Sequence, residues 1–199
     1  FVSQMQTIAG QDAPSINVSR ALTRLKSVFI TLTKDLSTTG NRTGISNPGI
    51  KPWNDFFSPM WEKNYAGIWT HDPDGEFEFQ LQIGSKLFPE YPVCSHNEAL
   101  YQLKKTLGVQ ASAVHNFDIS AIEYRSNKFV LGTDCEKVLD AGFTGLNTRA
   151  GDLMTVKFKY AGKGTATDGV YANLADRLHI VLHSDQIMEI RDTGVQVFD

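Results

Sequence analysis

The chain has little of several features that would point to a particular chemistry. Its 199 residues include only two cysteines. These are Cys94 and Cys135, and without a CxxC spacing they argue against a zinc ribbon or a disulfide-stapled secreted scaffold. No apolar run approaches the roughly 20 residues that span a bilayer. Basic residues are not in excess, since the net charge is −3. We therefore expect reduced thiols in an intracellular protein that does not bind nucleic acid directly.

Local motifs of common active sites are also missing. No serine lies in a GxSxG elbow. The GKGT sequence at Gly162–Thr165 has glycine where a phosphate-binding loop requires Ser or Thr after the lysine. Asp72, Asp74 and Gly75 predict a tight turn, because the ligand spacing of a calcium loop is absent. We predict no catalytic, cofactor-binding or metal-binding residue, and no enzymatic activity.

His179 and His183 would form a metal-binding pair only on a helix. The sequence LHIVLH at 178–183 alternates apolar and other residues, which is the period of a strand. On a strand the two rings share a face about 13 Å apart, at roughly 3.3 Å per residue. One metal ion, about 2 Å from each nitrogen, cannot bridge that distance. We predict two strand-face histidines.

Aromatic residues and alternating apolar patterns are plentiful. The 12 Phe, 6 Tyr and 3 Trp suit a sandwich core or an extensive interface. Strands separated by turns, with no βαβ rhythm, favour an antiparallel sandwich or barrel. The predicted extended segments are Ile16–Lys34, Glu76–Ile83, Ile119–Tyr124, Lys128–Leu131, Asp152–Tyr160, Leu178–Leu182, Ile187–Ile190 and Val195–Phe198.

One helix is predicted, over Ser95–Gly108. Ser95 and Glu98 have the spacing of a capping box, in which each side chain satisfies a backbone N–H at the helix start. Leucines three and four residues apart form a one-sided apolar stripe, and Gly108 can end the helix.

Three further segments favour contacts. Asp35–Pro52 and Ala161–Gly169 are polar loops, of a kind often found at interfaces. Trp53–Trp69 is dense in aromatic residues, and we interpret it as core or subunit interface. The alternative is a sugar-stacking platform in a carbohydrate-binding β-sandwich module, which saturable glycan binding by a monomer would favour. A hydrolase on a β scaffold would need acid and base side chains that converge in a pocket.

Three blocks carry a family resemblance: Leu81–Gly108, Gly142–Lys159 and Arg177–Asp199. They resemble the C-terminal half of the double jelly-roll major capsid proteins of Polinton-like viruses, adintoviruses and related eukaryotic DNA viruses. The resemblance covers most of Ile16–Asp199 and brings no active-site residues. It implies an all-β fold, an antiparallel eight-stranded jelly-roll sandwich with one short inserted helix at about 95–108. Residues 1–199 would form that single domain.

The resemblance also implies a function. Double jelly-roll capsid proteins contain two such sandwiches side by side, and three copies form a pseudo-hexagonal capsomer of an icosahedral shell. This chain, which begins at Phe1, would be the C-terminal barrel of a longer protein. Its role would be structural, in the virion, after assembly inside the host cell. The expected partners are further copies in a homotrimer, neighbouring capsomers and minor capsid or penton proteins. No cofactor is expected.

Overall fold

In the computed structural model, the described part of the chain comprises residues 1–8, 11, 13–33, 56, 58, 61–64, 69–71, 77–108, 119–126, 128–136, 145–149, 153–159, 170–171, 175–192 and 194–198. The elements within these residues are β1 (Val2–Thr7), β2 (Ser15–Val18), β3 (Leu25–Thr33), β4 (Trp61–Asn64), β5 (Trp69–His71), β6 (Glu78–Ile83), β7 (Lys86–Val93), α1 (His96–Leu107), α2 (Ala121–Ser126), β8 (Val130–Asp134), β9 (Met154–Lys159), β10 (Val170–Tyr171), β11 (Arg177–Ser184), β12 (Ile187–Arg191) and β13 (Gly194–Phe198).

Two four-stranded antiparallel sheets form the body of the fold. Sheet 1 has the order β1-β11-β3-β8, and sheet 2 has the order β2-β9-β6-β7. Among these eight strands the pairing is nested: first with eighth, second with seventh, third with sixth and fourth with fifth. Nested antiparallel pairing divided between two sheets is the connectivity of a jelly roll. The predicted all-β antiparallel sandwich is therefore confirmed, while the number of strands in the whole barrel stays a prediction.

One apolar core joins the two sheets. The central strands β3 and β11 of sheet 1, and β6 and β9 of sheet 2, turn every second side chain inward. Phe79 and Phe158 pair across β6 and β9, with ring centroids 5.2 Å apart. Burial of this apolar surface is the main free energy that holds the sheets together. The inward side chains, none more than 6 % exposed, are Val28, Ile30, Leu32, Phe79, Leu81, Ile83, Met154, Val156, Phe158, Leu178, Ile180 and Leu182.

Two smaller sheets accompany the sandwich. Strands β10, β4 and β5 form one, and β12 and β13 form a two-stranded hairpin. The segment Trp53–Trp69 contributes β4 and the first residue of β5. Apart from Phe56 and Ser58, its side chains lie outside the described residues, as do the loops Asp35–Pro52 and Ala161–Gly169.

Helix α1 confirms the predicted helix and its ends. Ser95 Oγ accepts a hydrogen bond from Glu98 N at 3.2 Å, and the Glu98 carboxylate accepts one from Cys94 N at 3.2 Å. Gly108 closes the helix with a φ of 57°, a conformation that favours glycine. The capping box therefore forms with one difference. The Glu98 carboxylate accepts from the N–H of Cys94, whereas in the usual pattern it accepts from the N–H of the N-cap residue itself.

The apolar side of α1 packs on β8. Leu103 is buried, and Leu100 and Leu107 lie partly buried against the same core. Gly132 on β8 allows the close approach, because a Cβ there would stand 3.0 Å from Thr106 Oγ1. The helix thus covers part of sheet 1 at its β8 edge.

The strand predicted at Ile119–Tyr124 is wrong, because Ala121–Ser126 forms helix α2. Its N-terminus has a second capping box: Glu123 N donates to Ser120 Oγ at 3.2 Å, and Ser120 N donates to Glu123 Oε2 at 3.3 Å. Local capping outweighs the weak alternation of this segment. The following strand, predicted at Lys128–Leu131, is also displaced and runs over Val130–Asp134.

Strands β1 and β7 were not predicted, and both lie at sheet edges. Side chains of β1 are mostly exposed, so its sequence lacks a clear apolar alternation. Strand β7 contains Pro89 and Pro92. Proline has no N–H to donate and is confined to edges and strand ends. The same prolines protect this edge from pairing with another strand.

Replacing Ile180 by Ala should lower the free energy of unfolding by about 2–5 kcal/mol, because it leaves a cavity between the sheets. Val181 is the next residue, faces the outside of sheet 1 and is only half-buried. Val181→Ala should therefore cost no more than about 1.5 kcal/mol. Urea unfolding followed by circular dichroism measures both values. Equal losses would contradict this register.

Candidate functional surfaces

The two histidines of Arg177–Ser184 lie on the outer face of sheet 1. Their segment is strand β11, so the strand-face prediction is confirmed. His179 Nε2 lies 2.9 Å from Thr33 Oγ1, and His183 Nδ1 lies 3.3 Å from Ser27 Oγ. Each ring thus has its own hydroxyl partner on β3, and the two rings do not act as one site.

Burial lowers the pKa of both imidazoles below their ordinary value of 6.5. For His179 desolvation is the main cause, and the charge of Arg177 adds to it. For His183 desolvation again leads, followed by the charge of Lys26, while Asp185 acts in the opposite direction. Both rings are therefore neutral at pH 7 and serve as hydrogen-bonding groups within the sheet surface.

An ion-pair cluster connects three strand ends of sheet 1: the start of β3 and the residues that follow β8 and β11. Lys26 Nζ lies 3.1 Å from Glu136 Oε1 and 3.2 Å from Asp185 Oδ2, and all three side chains are largely covered. The hydrogen bond with Glu136 is the largest effect that raises the pKa of Lys26, with Asp185 contributing in the same direction against desolvation. A lysine held charged by two carboxylates is not a base or nucleophile at neutral pH. The cluster is therefore a structural connection between β3, β8 and β11.

His96 and Ser58 form a buried pair that the sequence did not reveal. His96 Nε2 lies 2.6 Å from Ser58 Oγ, and the residues are 6 % and 0 % exposed. The rings of Phe77 and Phe129 lie 5.9 and 5.7 Å from the imidazole. A serine and a histidine enclosed in this way cannot reach a substrate. His115 lies outside the described residues.

The segment Gly145–Arg149 (GLNTR) is hydrogen-bonded to the connection between β2 and β3 and clamps it in place. Leu25 and Leu146 exchange two backbone hydrogen bonds of 2.9 Å. Thr148 N donates to Leu22 O at 2.8 Å, and Leu22 N donates to Thr148 Oγ1 at 2.9 Å. Gly145 makes the approach possible, because a Cβ there would stand 2.9 Å from the Leu25 carbonyl oxygen. The described residues of this segment therefore have a structural role.

Arg149 lies at the end of this segment. Its backbone N–H donates to Asn147 Oδ1 at 2.8 Å, and its side chain is exposed. Within the described ranges Arg149 forms no salt bridge.

A cavity of about 400 Å³ opens on the outer face of sheet 2. A salt bridge of 2.6 Å between Lys159 Nζ and Glu78 Oε2 neutralises its carboxylate. Phe158, its aromatic lining residue, is buried and presents no stacking surface. The cavity thus offers polar contacts without a paired acid and base. It is lined by Ala13, Pro14, Ser15, Glu78, Gln80, Pro92, Lys157, Phe158 and Lys159.

The remaining chemistry-bearing groups form no centre in the part of the chain that the structure describes. No group of three His, Cys, Asp or Glu side chains there could hold a metal ion. No helix in those ranges is long and apolar enough to cross a membrane. Cys94 and Cys135 are not joined in a disulfide. Burial raises the pKa of the Cys135 thiol to about 12, so it is unreactive at neutral pH.

No protein-family model matches the chain, and no match is found among the curated proteins. The resemblance to capsid proteins therefore stays a prediction. The class of protein that the fold defines is an all-β antiparallel sandwich with jelly-roll strand order.

Replacing His179 by Asn should reduce the loss of stability on acidification. The pKa of His179 in the native protein lies below 6.5, so on acidification the imidazole of the unfolded chain is protonated first. The free energy of unfolding therefore decreases as the pH drops below about 6.5. Asn cannot titrate, so the variant should lose less stability than wild type between about pH 7.5 and about pH 5.5. Urea unfolding at both pH values measures this. Val181→Ala, on the same face, should keep the wild-type dependence, and an unchanged dependence in His179→Asn would refute the assignment.

Replacing Gly145 by Ala should lower the free energy of unfolding by about 1–3 kcal/mol, because its Cβ would collide with backbone atoms of Arg24 and Leu25. Arg149→Ala, an exposed change in the same segment, should stay within about 0.5 kcal/mol of wild type. Denaturant unfolding compares the two. If both variants match wild type, the clamp does not stabilise the fold.

Proposed function

We propose that this chain is a structural capsid module, one jelly-roll sandwich of a double jelly-roll major capsid protein. Its trimers form the pseudo-hexagonal capsomers of an icosahedral shell. The observation that carries the proposal is the nested pairing of eight strands in two sheets. Jelly rolls of this kind occur among viral capsid proteins, lectins and cupins. Because a fold hosts several functions, the choice among them depends on the surfaces of the sandwich.

The interior of the sandwich supports a structural function. A domain that binds a ligand between its sheets needs space and a few polar groups there. Here the inward side chains of the four central strands are apolar and closely buried, from Val28 on β3 to Leu182 on β11. The interior therefore contributes stability and leaves function to the outside.

The outside of the sandwich carries apolar side chains suited to subunit contacts. Leu87 and Leu153 are 41 % and 66 % exposed and lie at one end of sheet 2. Tyr91, on the edge strand β7, is 78 % exposed. Tyrosine and the other aromatic residues are enriched where proteins associate. These residues are available to neighbouring copies.

The second sandwich and the trimer come into the proposal from the sequence resemblance. That resemblance lies in the blocks Leu81–Gly108, Gly142–Lys159 and Arg177–Asp199. In the fold, these blocks contribute α1, β7, β9, β11 and the C-terminal hairpin. They thus include elements of the core as well as elements at the surface.

Sedimentation of the native gene product, with any upstream residues included, tests the proposal. A capsid module should give a stable trimer at micromolar concentration, because obligate subunit interfaces bury about 2,000 Å² or more. A well-behaved monomer without a second sandwich would exclude it. In that case titration of the monomer with glycans would test the aromatic segment Trp53–Trp69 as a binding platform.

A further inference from the structure

The C-terminal hairpin β12–β13 has a continuous apolar face. Met188 pairs directly with Val197, and Ile190 pairs directly with Val195. Residues directly opposite each other in an antiparallel pair project from the same side, and alternate pairs share that side. These four side chains are 61 %, 56 %, 75 % and 61 % exposed, in that order. They form a single uncharged surface.

The other face of the hairpin is mixed, with the apolar Ile187, paired with Phe198, at its open end and polar residues towards the turn. Glu189 pairs with Gln196 there. Arg191 Nη2 lies 2.7 Å from Glu189 Oε1, and both side chains are well exposed. Between Met188 and Val197 the hairpin therefore has one apolar and one polar face, which is typical of a sheet that is covered on one side and solvated on the other.

The apolar face has no cover in the described part of the chain. There the hairpin pairs with no other strand, and none of its described side chains is buried. A two-stranded hairpin alone is only marginally stable in water. The largest contiguous apolar patch on a protein surface, typically about 300–600 Å², is often functional. The apolar face of the hairpin is therefore a candidate contact surface.

The base of the hairpin is fixed to the sandwich. Asp185 lies between β11 and β12, and its carboxylate forms the 3.2 Å ion pair with Lys26. The backbone N–H of Asp185 also donates to Arg24 O at 3.3 Å. The hairpin consequently leaves the sandwich from a fixed position, which allows it to reach a neighbour in a defined direction.

The size of the face indicates what kind of partner covers it. Four such side chains bury about 60–120 Å² each, so the face contributes roughly 240–480 Å². A stable interface needs about 800 Å² on each partner. The hairpin therefore cannot hold an independent partner by itself. It can extend an interface that already brings two molecules together.

We propose that the apolar face of β12–β13 docks on a second copy of this chain. The inference rests on the proposed function, because the trimer supplies the larger interface that the hairpin extends. The face has no charge, so its partner surface must be uncharged and apolar. The chain itself has exposed apolar side chains at Leu87 and Leu153, at the end of sheet 2. Each copy would thus give one hairpin to its neighbour and receive one, which closes a ring.

Two matched substitutions in the full-length product test the proposal. Ile190→Lys places a charge on the apolar face, and Gln196→Lys places the same charge on the polar face of the same hairpin. Neither position belongs to the sandwich core, so both variants should keep the wild-type circular dichroism spectrum. By sedimentation, Ile190→Lys should raise the trimer dissociation constant at least about tenfold, and Gln196→Lys should change it less than about twofold.

A photo-crosslinking amino acid in place of Val197 identifies the occupant. Crosslinked products with the mass of two chains are expected. A wild-type trimer that Ile190→Lys does not weaken would overturn this inference, and so would a crosslink confined to one chain, to another protein or to lipid. Each of those results leaves the proposed function standing. A wild-type monomer would instead overturn the proposed function and this inference with it.

Discussion

Burial of one face of each sheet is the constraint on which the rest of the structure depends. Side chains alternate along a strand, so the central strands β3, β11, β6 and β9 give one set to the core and leave the other outside. The alternation that buries Ile180 therefore also places His179 at the surface. A shift of one residue in register would exchange the two sets. The packing of the core therefore determines which side chains of these strands lie on the outer faces and can contact other molecules.

Nested strand pairing brings together connections that are distant in sequence. The clamp between Leu22 and Thr148 joins residues 126 positions apart. The Lys26 ion pairs join the start of β3 to the ends of β8 and β11. These contacts lie at the ends of the strands, where the core no longer determines the path of the chain. They also fix the base of the C-terminal hairpin.

Local patterns predicted much of the fold. Alternation predicted β6, β9 and β11, and the Ser95 capping box predicted α1. Edge strands β1 and β7 carry a weak signal because a strand paired on one side has fewer residues to bury. Of the candidate surfaces, the histidine face followed from alternation, whereas the His96–Ser58 pair depends on packing between residues 38 positions apart. The strands of the C-terminal hairpin were predictable, but its exposure depends on tertiary structure.

The proposed capsid function depends on the surfaces that the filled sandwich would present to other copies. Electron cryomicroscopy of the assembled native product tests that claim most directly. The account predicts threefold particles with a pseudo-hexagonal outline, in which each chain contributes two sandwiches and this sandwich contacts its neighbours through its outer surface. Single sandwiches without threefold symmetry, with ligand density in a surface pocket, would contradict it.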